Sequence, residues 1–140
     1  MEFNIDERHA YNYTEGLTKE QRREALELMT RQFKELLERP DSDNLYWMGT
    51  KTDLVDLVHE VYMTERMVDR QGRPFGFARI LERACAVLHV VMPCNPYSMA
   101  FNARNRKGVR QTTMFSRFCW MVYSRKASHP LKEMVKRMGE

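Results

Sequence analysis

The side chains of this chain that are best suited to chemistry are four cations that follow one another closely. They are Arg104, Arg106, Lys107 and Arg110, and we call them the basic stretch. Guanidinium groups form forked hydrogen bonds to phosphate oxygens, and each neutralised phosphate releases counterions. Thr112 can also contact a phosphate, and the first amides of a helix after it would add N–H donors. This pattern predicts contact with a polyanion, and the alternative is a solvated face that keeps the chain soluble.

The distribution of charge along the chain supports a polyanionic partner. The formal net charge is +4, but residues 83–132 contain nine Lys and Arg residues and no Asp or Glu. The rest of the chain is therefore net acidic. Such asymmetry indicates a polyanionic partner, and DNA is the one that we predict. The alternative is that the two parts fold together and neutralise each other.

Three further cations are candidates for supporting contacts with DNA. Lys51 opens a predicted helix, whereas Arg70 and Arg73 lie in a predicted turn that would touch the DNA backbone in a winged-helix arrangement. The alternative for that turn is an ordinary surface loop, because Asp69 dilutes its charge. We expect Lys51, Arg70 and Arg73 to support the basic stretch from a neighbouring surface.

The other chemistry-bearing residues indicate neither catalysis nor a resident metal. Cys85 and His89 are four residues apart and, with Cys94 and Cys119, could in principle hold zinc, but the tight paired spacings of zinc fingers are absent. Lone Cys and His side chains on an apolar helix usually belong to the core. No nucleophile stands near an obvious base. We therefore predict no enzyme activity, no cofactor, no metal and no small-molecule substrate.

The chain lacks the sequence signs of export or membrane insertion. It contains no apolar run that could cross a bilayer, and its first residues lack the apolar stretch of a secretory signal. Its three cysteines cannot all pair within one chain, so free thiols in a reducing compartment are expected. We predict a cytoplasmic protein without a membrane partner.

Helix signals dominate the segments that must position the cations. Apolar spacings of three and four residues, bounded by N-cap residues and prolines, predict a mainly α domain of about five to six helices. Thr18 and Gln21 form a capping-box pattern before the first of them. The signals also allow a winged-helix-like arrangement with a small β-hairpin. The predicted helices cover residues 19–39, 51–65, 75–91, 96–108, 114–123 and 130–138.

The predicted domain is one globular unit with two parts. Residues 1–44 are expected to form an N-terminal arm and a helix that pack on the main helical domain, residues 45–140. Aromatic side chains such as Phe3 could dock the arm. On the second predicted helix, Asp53, Asp56 and Glu60 share one face, which predicts an exposed acidic surface.

Several short motifs occur in the order known from one protein family. Residues 47–58 read Trp-Met-Gly-Thr-Lys-Thr-Asp-Leu-Val-Asp-Leu-Val. They are followed by residues 75–88, an Asn-Pro-Tyr break at 95–97, the cations Arg106, Lys107 and Arg110, and a closing segment at 134–138. In these residues, the chain resembles the C-terminal domain of the RteC-like proteins. Those proteins regulate the excision of mobile elements that carry tetracycline resistance.

The resemblance implies a winged-helix-like, DNA-binding transcription regulator in a bacterial cytoplasm. Lys51 matches the cation that opens the family's first helix, and Arg106, Lys107 and Arg110 match its basic residues. Gln111 departs from the family's Thr, the fifth helix lacks the family's acid, and the long N-terminal domain of the full-length regulators is missing. Such a relative could be an accessory factor or a competitor rather than an activator.

Two functions of different classes follow from the sequence. The first is a DNA-binding regulatory protein of a mobile genetic element. The alternative is a helical protein–protein interaction module that pairs with a second copy or with an acidic partner. Trp47, Trp120 and Met-rich surfaces would be its anchors.

Overall fold

The computed structural model describes residues 13–40, 43–104 and 112–138, with only the backbone of Arg104. Within these ranges, five α-helices and a small antiparallel sheet confirm the predicted mainly α class. The helices are α1 (Lys19–Leu37), α2 (Lys51–Tyr62), α3 (Phe77–Leu88), α4 (Pro96–Arg104) and α5 (Met114–Tyr123). The strands are β1 (Leu45–Trp47) and β2 (Val135–Arg137), and 3-10 helices cover Tyr13–Gly16 and Pro130–Met134.

The start of α1 forms as its sequence predicts, whereas its end depends on a distant residue. The Thr18 hydroxyl accepts a hydrogen bond from the Gln21 amide at 3.0 Å, and the Gln21 side chain accepts one from the Thr18 amide at 2.9 Å. This confirms the capping box. At the other end, the Arg83 guanidinium donates to the carbonyls of Leu37 (3.0 Å) and Arg39 (2.9 Å). Arg83 therefore binds the carbonyl end of α1, to which a cation is electrostatically suited.

The centre of the core is α2. Seven of its 12 residues are buried, and it packs against α1, α3, α4 and α5. Phe33 of α1 and Phe118 of α5 are among the fully buried side chains around it. A helix enclosed on so many sides buries positions that a surface helix would expose. Two of them, Asp53 and Asp56, are acids.

The sheet joins two segments that are far apart in the sequence. β1 follows α1, β2 lies near the end of the chain, and they pair antiparallel with Leu45 opposite Arg137 and Trp47 opposite Val135. The side chains of these four residues lie on one face of the sheet, because side chains alternate along a strand. None of the helices in the described part of the chain is long and apolar enough to cross a membrane.

The predicted helix over residues 130–138 is wrong in its second half. The chain forms a 3-10 helix over Pro130–Met134 and then β2. The apolar spacing in this segment suits a helix, and Leu131 is fully buried. However, β1 offers backbone partners that local sequence patterns cannot reveal, and pairing with β1 satisfies the backbone of Lys136, the Met134 carbonyl and the Met138 amide.

A hairpin-like turn connects α2 to α3. Its ends meet at the isolated bridge between Val68 and Pro74, and Gly72 adopts a positive φ of 81° inside it. The Asp69 side chain accepts a hydrogen bond from the Arg73 amide at 3.0 Å. This bond is the main reason that the pKa of Asp69 lies below its ordinary value. Asp69 therefore organises the turn as well as diluting its positive charge.

Candidate nucleic-acid interface

The N-terminus of α5 is held by a buried carboxylate from α2. Asp56 has no solvent exposure, and its Oδ2 accepts a hydrogen bond from the Met114 amide at 2.9 Å. The Thr113 hydroxyl caps the helix by accepting from the Ser116 amide at 3.2 Å. The expectation that the first amides of α5 bind a phosphate is therefore wrong, because the Asp56 carboxylate already occupies that position and would repel a second anion.

An ion pair beside this contact uses one of the nine cations of residues 83–132. The Arg117 guanidinium donates to both carboxylate oxygens of Asp53, at 2.6 Å and 3.3 Å. It also donates to the Thr112 carbonyl at 3.3 Å. Asp53 and Asp56 are buried, so the predicted exposed acidic face of α2 is wrong. The reason is that α5 supplies an amide and a guanidinium to these carboxylates.

The helices α2 and α3 run antiparallel. The turn that joins them, which carries Arg70 and Arg73, therefore lies at the end of α2 opposite Lys51. The rings of Tyr62 and Phe77 contact each other at a centroid distance of 5.9 Å, so the end of α2 lies beside the start of α3. The His89 ring, directly after α3, stacks on the Tyr46 ring at a centroid distance of 4.3 Å, and Tyr46 lies five residues before α2 begins. The start of α2 therefore lies near the last turns of α3.

Lys51 and the start of α5 share one end of the α2 helix. Lys51 is exposed at the first residue of α2. Thr112, the first described residue after the basic stretch, is bound to Arg117 beside the first turn of α2. Thr112 itself is buried. Arg106, Lys107 and Arg110, together with the side chain of Arg104, lie outside the described residues.

Arg70 and Arg73 lie at the other end of α2, in the turn that precedes α3. Both are exposed, and Arg73 pairs with Asp69 at 3.3 Å. The 12 residues of α2 separate them from Lys51 by about 18 Å along the helix axis. The structure thus brings Lys51, but not Arg70 or Arg73, to the end of α2 beside which Thr112 lies.

A second group of cations, which sequence reasoning missed, surrounds a cleft of about 360 Å³ between α1 and β2. Three permanent cations come from the loop after α1, the 3-10 helix Pro130–Met134 and β2: Arg39, Lys132 and Arg137. Only Lys132 falls in the acid-free run, and the other two lie near acids in the sequence, so charge runs did not reveal them. We call this site the α1–β2 cleft. It is lined by Gln32, Glu35, Leu36, Arg39, Leu45, His129, Lys132, Val135 and Arg137.

The exposed aromatic surface also differs from the one that the sequence predicts. The Trp47 indole donates to the Thr50 carbonyl at 2.8 Å, and Arg125 lies over the Trp120 ring at 5.7 Å. Both tryptophans are half-buried. The large apolar residues exposed on α4 are Tyr97 (64%) and Phe101 (68%), one helical turn apart.

The Cys and His residues that the sequence singles out as possible zinc ligands have the surroundings of structural residues. Cys85 and Cys119 are buried, whereas Cys94 is exposed, and all three are free thiols. Burial, assisted by the charge of Glu60, raises the pKa of Cys119 to about 12. The His89 Nδ1 donates a hydrogen bond to the carbonyl of Leu45, the first residue of β1, at 2.7 Å. Among the described residues, no group of three or more His, Cys, Asp or Glu side chains could hold a metal ion.

Comparison of the chain with protein-family models, with curated protein sequences and with solved structures finds no match. A proposal for what this chain contacts therefore rests on its charges, packing and surfaces.

Proposed function

We propose that the protein binds DNA through the basic stretch together with Lys51, and that it serves as a regulatory protein of a mobile genetic element. The observation that carries the proposal is the acid-free run of residues 83–132. The described residue that follows the basic stretch, Thr112, lies at the same end of α2 as the exposed Lys51. A phosphate backbone could therefore contact cations from two segments of the chain.

The packing of the nearest acids supports this proposal. Asp53 and Asp56 are the carboxylates of α2 closest to Lys51 in sequence, and both are buried against α5. Arg117 offsets the charge of Asp53. Carboxylates that face inwards and bind donors repel an approaching phosphate less than exposed ones, because part of their field is already neutralised. The start of α2 can thus present positive charge, although its sequence contains both acidic and basic residues.

The regulatory part of the proposal comes from the resemblance to the RteC-like proteins. Lys51, Arg106, Lys107 and Arg110 match cations of that family. An accessory role in excision, in a bacterial cytoplasm, is the function that this resemblance implies. We leave Arg70 and Arg73 out of the proposed contact surface because they lie at the opposite end of α2. We leave out Thr112 because it is buried.

Fluorescence anisotropy with a labelled DNA duplex at several salt concentrations tests the proposal. The variant Arg106→Glu, Lys107→Glu, Arg110→Glu is expected to lose at least about tenfold in affinity, since each lost phosphate contact lowers the salt slope by about one. Arg66→Glu, Arg70→Glu, Arg73→Glu is the matched control, because it makes the same change in net charge at the other end of α2.

Two outcomes would contradict DNA binding through this surface. Equal losses in the two triple variants would show attraction by net charge alone. An unchanged anisotropy of the duplex at low salt, up to high protein concentration, would remove DNA as the partner.

A second candidate function is a helical interaction module, and the exposed aromatics of α4 favour it. Tyr97 and Phe101 place two large rings on the surface of a helix that otherwise packs against α2. Aromatic side chains are enriched at protein interfaces and often carry much of the binding energy. A second copy of the chain is the partner to test first, since dimers with twofold symmetry are the commonest assemblies.

Sedimentation velocity over a range of concentrations tests this second function. If α4 pairs with a second copy, Tyr97→Ser with Phe101→Ser is expected to convert dimers to monomers. Met48→Ser serves as a control, because Met48 is also a large exposed apolar residue (58%) and lies outside α4. A wild-type protein that sediments as a monomer at about 100 μM, where a contact of several kcal/mol would be populated, would exclude self-association through α4.

A further inference from the structure

The strand β2 has an open edge. The Met48 amide donates to the Met134 carbonyl and the Met138 amide to the Asn44 carbonyl, both at 2.9 Å. Hydrogen-bonded pairs in an antiparallel ladder recur at every second residue, so Lys136 is the bonded residue in the middle of β2. The N–H and C=O groups of its two neighbours in the strand therefore point away from β1. Within the described residues, β1 is the only strand that pairs with β2.

The α1–β2 cleft lies beside this open edge. Val135 and Arg137, whose backbone groups form the edge, also line the cleft. Leu36, Leu45 and Val135 supply apolar surface, and the three permanent cations exceed the one carboxylate of the lining. Asp43 pairs with Arg39 at 2.7 Å and lies 4.0 Å from Arg137, which leaves the site net positive.

An acidic, extended segment with alternating apolar side chains would complement this site. Residues 2–7 of the chain read Glu-Phe-Asn-Ile-Asp-Glu. Phe3 and Ile5 alternate with polar residues, which is the period of a strand, and three of the six residues are acids. Residues 1–12 lie outside the described part of the chain.

We propose that residues 2–7 of the chain add as a third strand to the open edge of β2 and place Phe3 and Ile5 in the α1–β2 cleft. Strand addition uses main-chain hydrogen bonds for affinity and alternate side chains for specificity. Phe3 and Ile5 lie on the face that carries Val135 and Arg137, and the acids lie close enough for cross-strand attraction to Lys136 and the cations of the cleft. The proposal does not depend on DNA binding.

The chain is long enough for this contact. The 3-10 helix Tyr13–Gly16 packs on α5 and directly precedes α1. The Tyr123 hydroxyl of α5 donates to the Gln21 carbonyl at 2.9 Å, which locates this region near the start of α1. From Gln21 to Leu36, which lines the cleft, α1 rises by about 22 Å. The eight residues from Ile5 to Tyr13 span about 26 Å when extended.

Amide hydrogen exchange of the full chain gives the first test. The amides of Val135 and Arg137 are expected to exchange at least about tenfold more slowly in the wild type than in a Phe3→Asp, Ile5→Asp variant, because the variant opens the edge. The Lys136 amide is the internal control, since it bonds to β1 in both proteins. Equal exchange of Val135 and Arg137 in the two proteins would overturn the proposal.

A peptide of residues 1–8 gives the second test. The labelled peptide is expected to bind the full-length Phe3→Asp, Ile5→Asp variant, whose edge is open, and adding Lys132→Glu with Arg137→Glu to that variant should weaken this binding at least about tenfold. Arg70→Glu with Arg73→Glu makes the same change in net charge away from the cleft and should leave it unchanged. No saturable binding of the peptide would overturn the proposal. So would a DNA duplex that protects the Val135 and Arg137 amides when the peptide does not, because the cleft would then belong to nucleic acid.

Discussion

Replacing Asp56 with alanine is expected to lower the free energy of unfolding by about 2–3 kcal/mol. Asp56 is fully buried, and its carboxylate accepts the Met114 amide at 2.9 Å. Alanine removes the acceptor, so the amide that begins α5 loses its partner in a place where water has little access. Urea unfolding measures the effect as a shift of the midpoint at an unchanged m value.

Two variants separate the hydrogen bond from the charge. Asp56→Asn keeps an oxygen that can accept the Met114 amide, so its cost should be smaller than that of alanine. Thr113→Ala removes the other cap of α5 and should cost about 1 kcal/mol. An Asp56→Ala protein that is as stable as the wild type would show that Asp56 does not hold the start of α5.

Replacing Arg117 with methionine is expected to cost about 2–3 kcal/mol, because it removes the guanidinium that binds both oxygens of the buried Asp53 carboxylate. The side chain of Asp53 is only 9% exposed, and that of Arg117 is 33% exposed. Losing one partner of a buried pair costs more than the pair contributes, since the remaining charge stays desolvated. We expect a smaller loss of stability than for a fully buried pair, because water reaches part of the Arg117 guanidinium.

The cost of Arg117→Met should fall when Asp53 is changed as well. In a double-mutant cycle with Asp53→Asn, we expect a coupling free energy of about 1–2 kcal/mol from urea unfolding of the four proteins. Arg125→Met is the matched control, because Arg125 pairs with Glu133 at the surface, where both side chains are nearly half exposed. Its cost should stay at or below about 1 kcal/mol, because only an exposed ion pair and a contact with the Trp120 ring are lost. Equal costs for Arg117→Met and Arg125→Met would mean that burial of the Asp53 pair adds nothing.

Features that depend on neighbours in the sequence could be predicted from the sequence alone. The capping residues Thr18, Thr50 and Thr113 each precede a helix and accept a backbone amide three residues later. These bonds join residues within one turn, so the residue types and their spacing are sufficient to recognise them. The helix ends were less accurate. The second predicted helix extends to residue 65 but ends at Tyr62, and the third starts at Phe77 rather than Phe75.

For the candidate DNA surface too, some features could be predicted from the sequence and others only from the packing. The acid-free run is a property of the sequence and needs no structure. The structure was needed to show that Arg117 is bound inside the fold, that Thr112 is buried, and that Arg73 and Lys51 lie at opposite ends of a helix. Charge can be counted along a chain, but whether a charge faces solvent or a partner depends on packing.

The sequence by itself determined the mainly α class, the starts of the three threonine-capped helices and the segregation of charge, because each follows from local hydrogen bonds, apolar spacing or composition. Only the tertiary structure decided that residues 135–137 form a strand, that Asp56 is an interior acceptor and that Arg39 and Arg137 meet at one cleft. The physical reason is that a backbone or charged group takes the best partner within reach. For Asp56 and for the strand residues 135–137, that partner is supplied by a segment remote in the sequence.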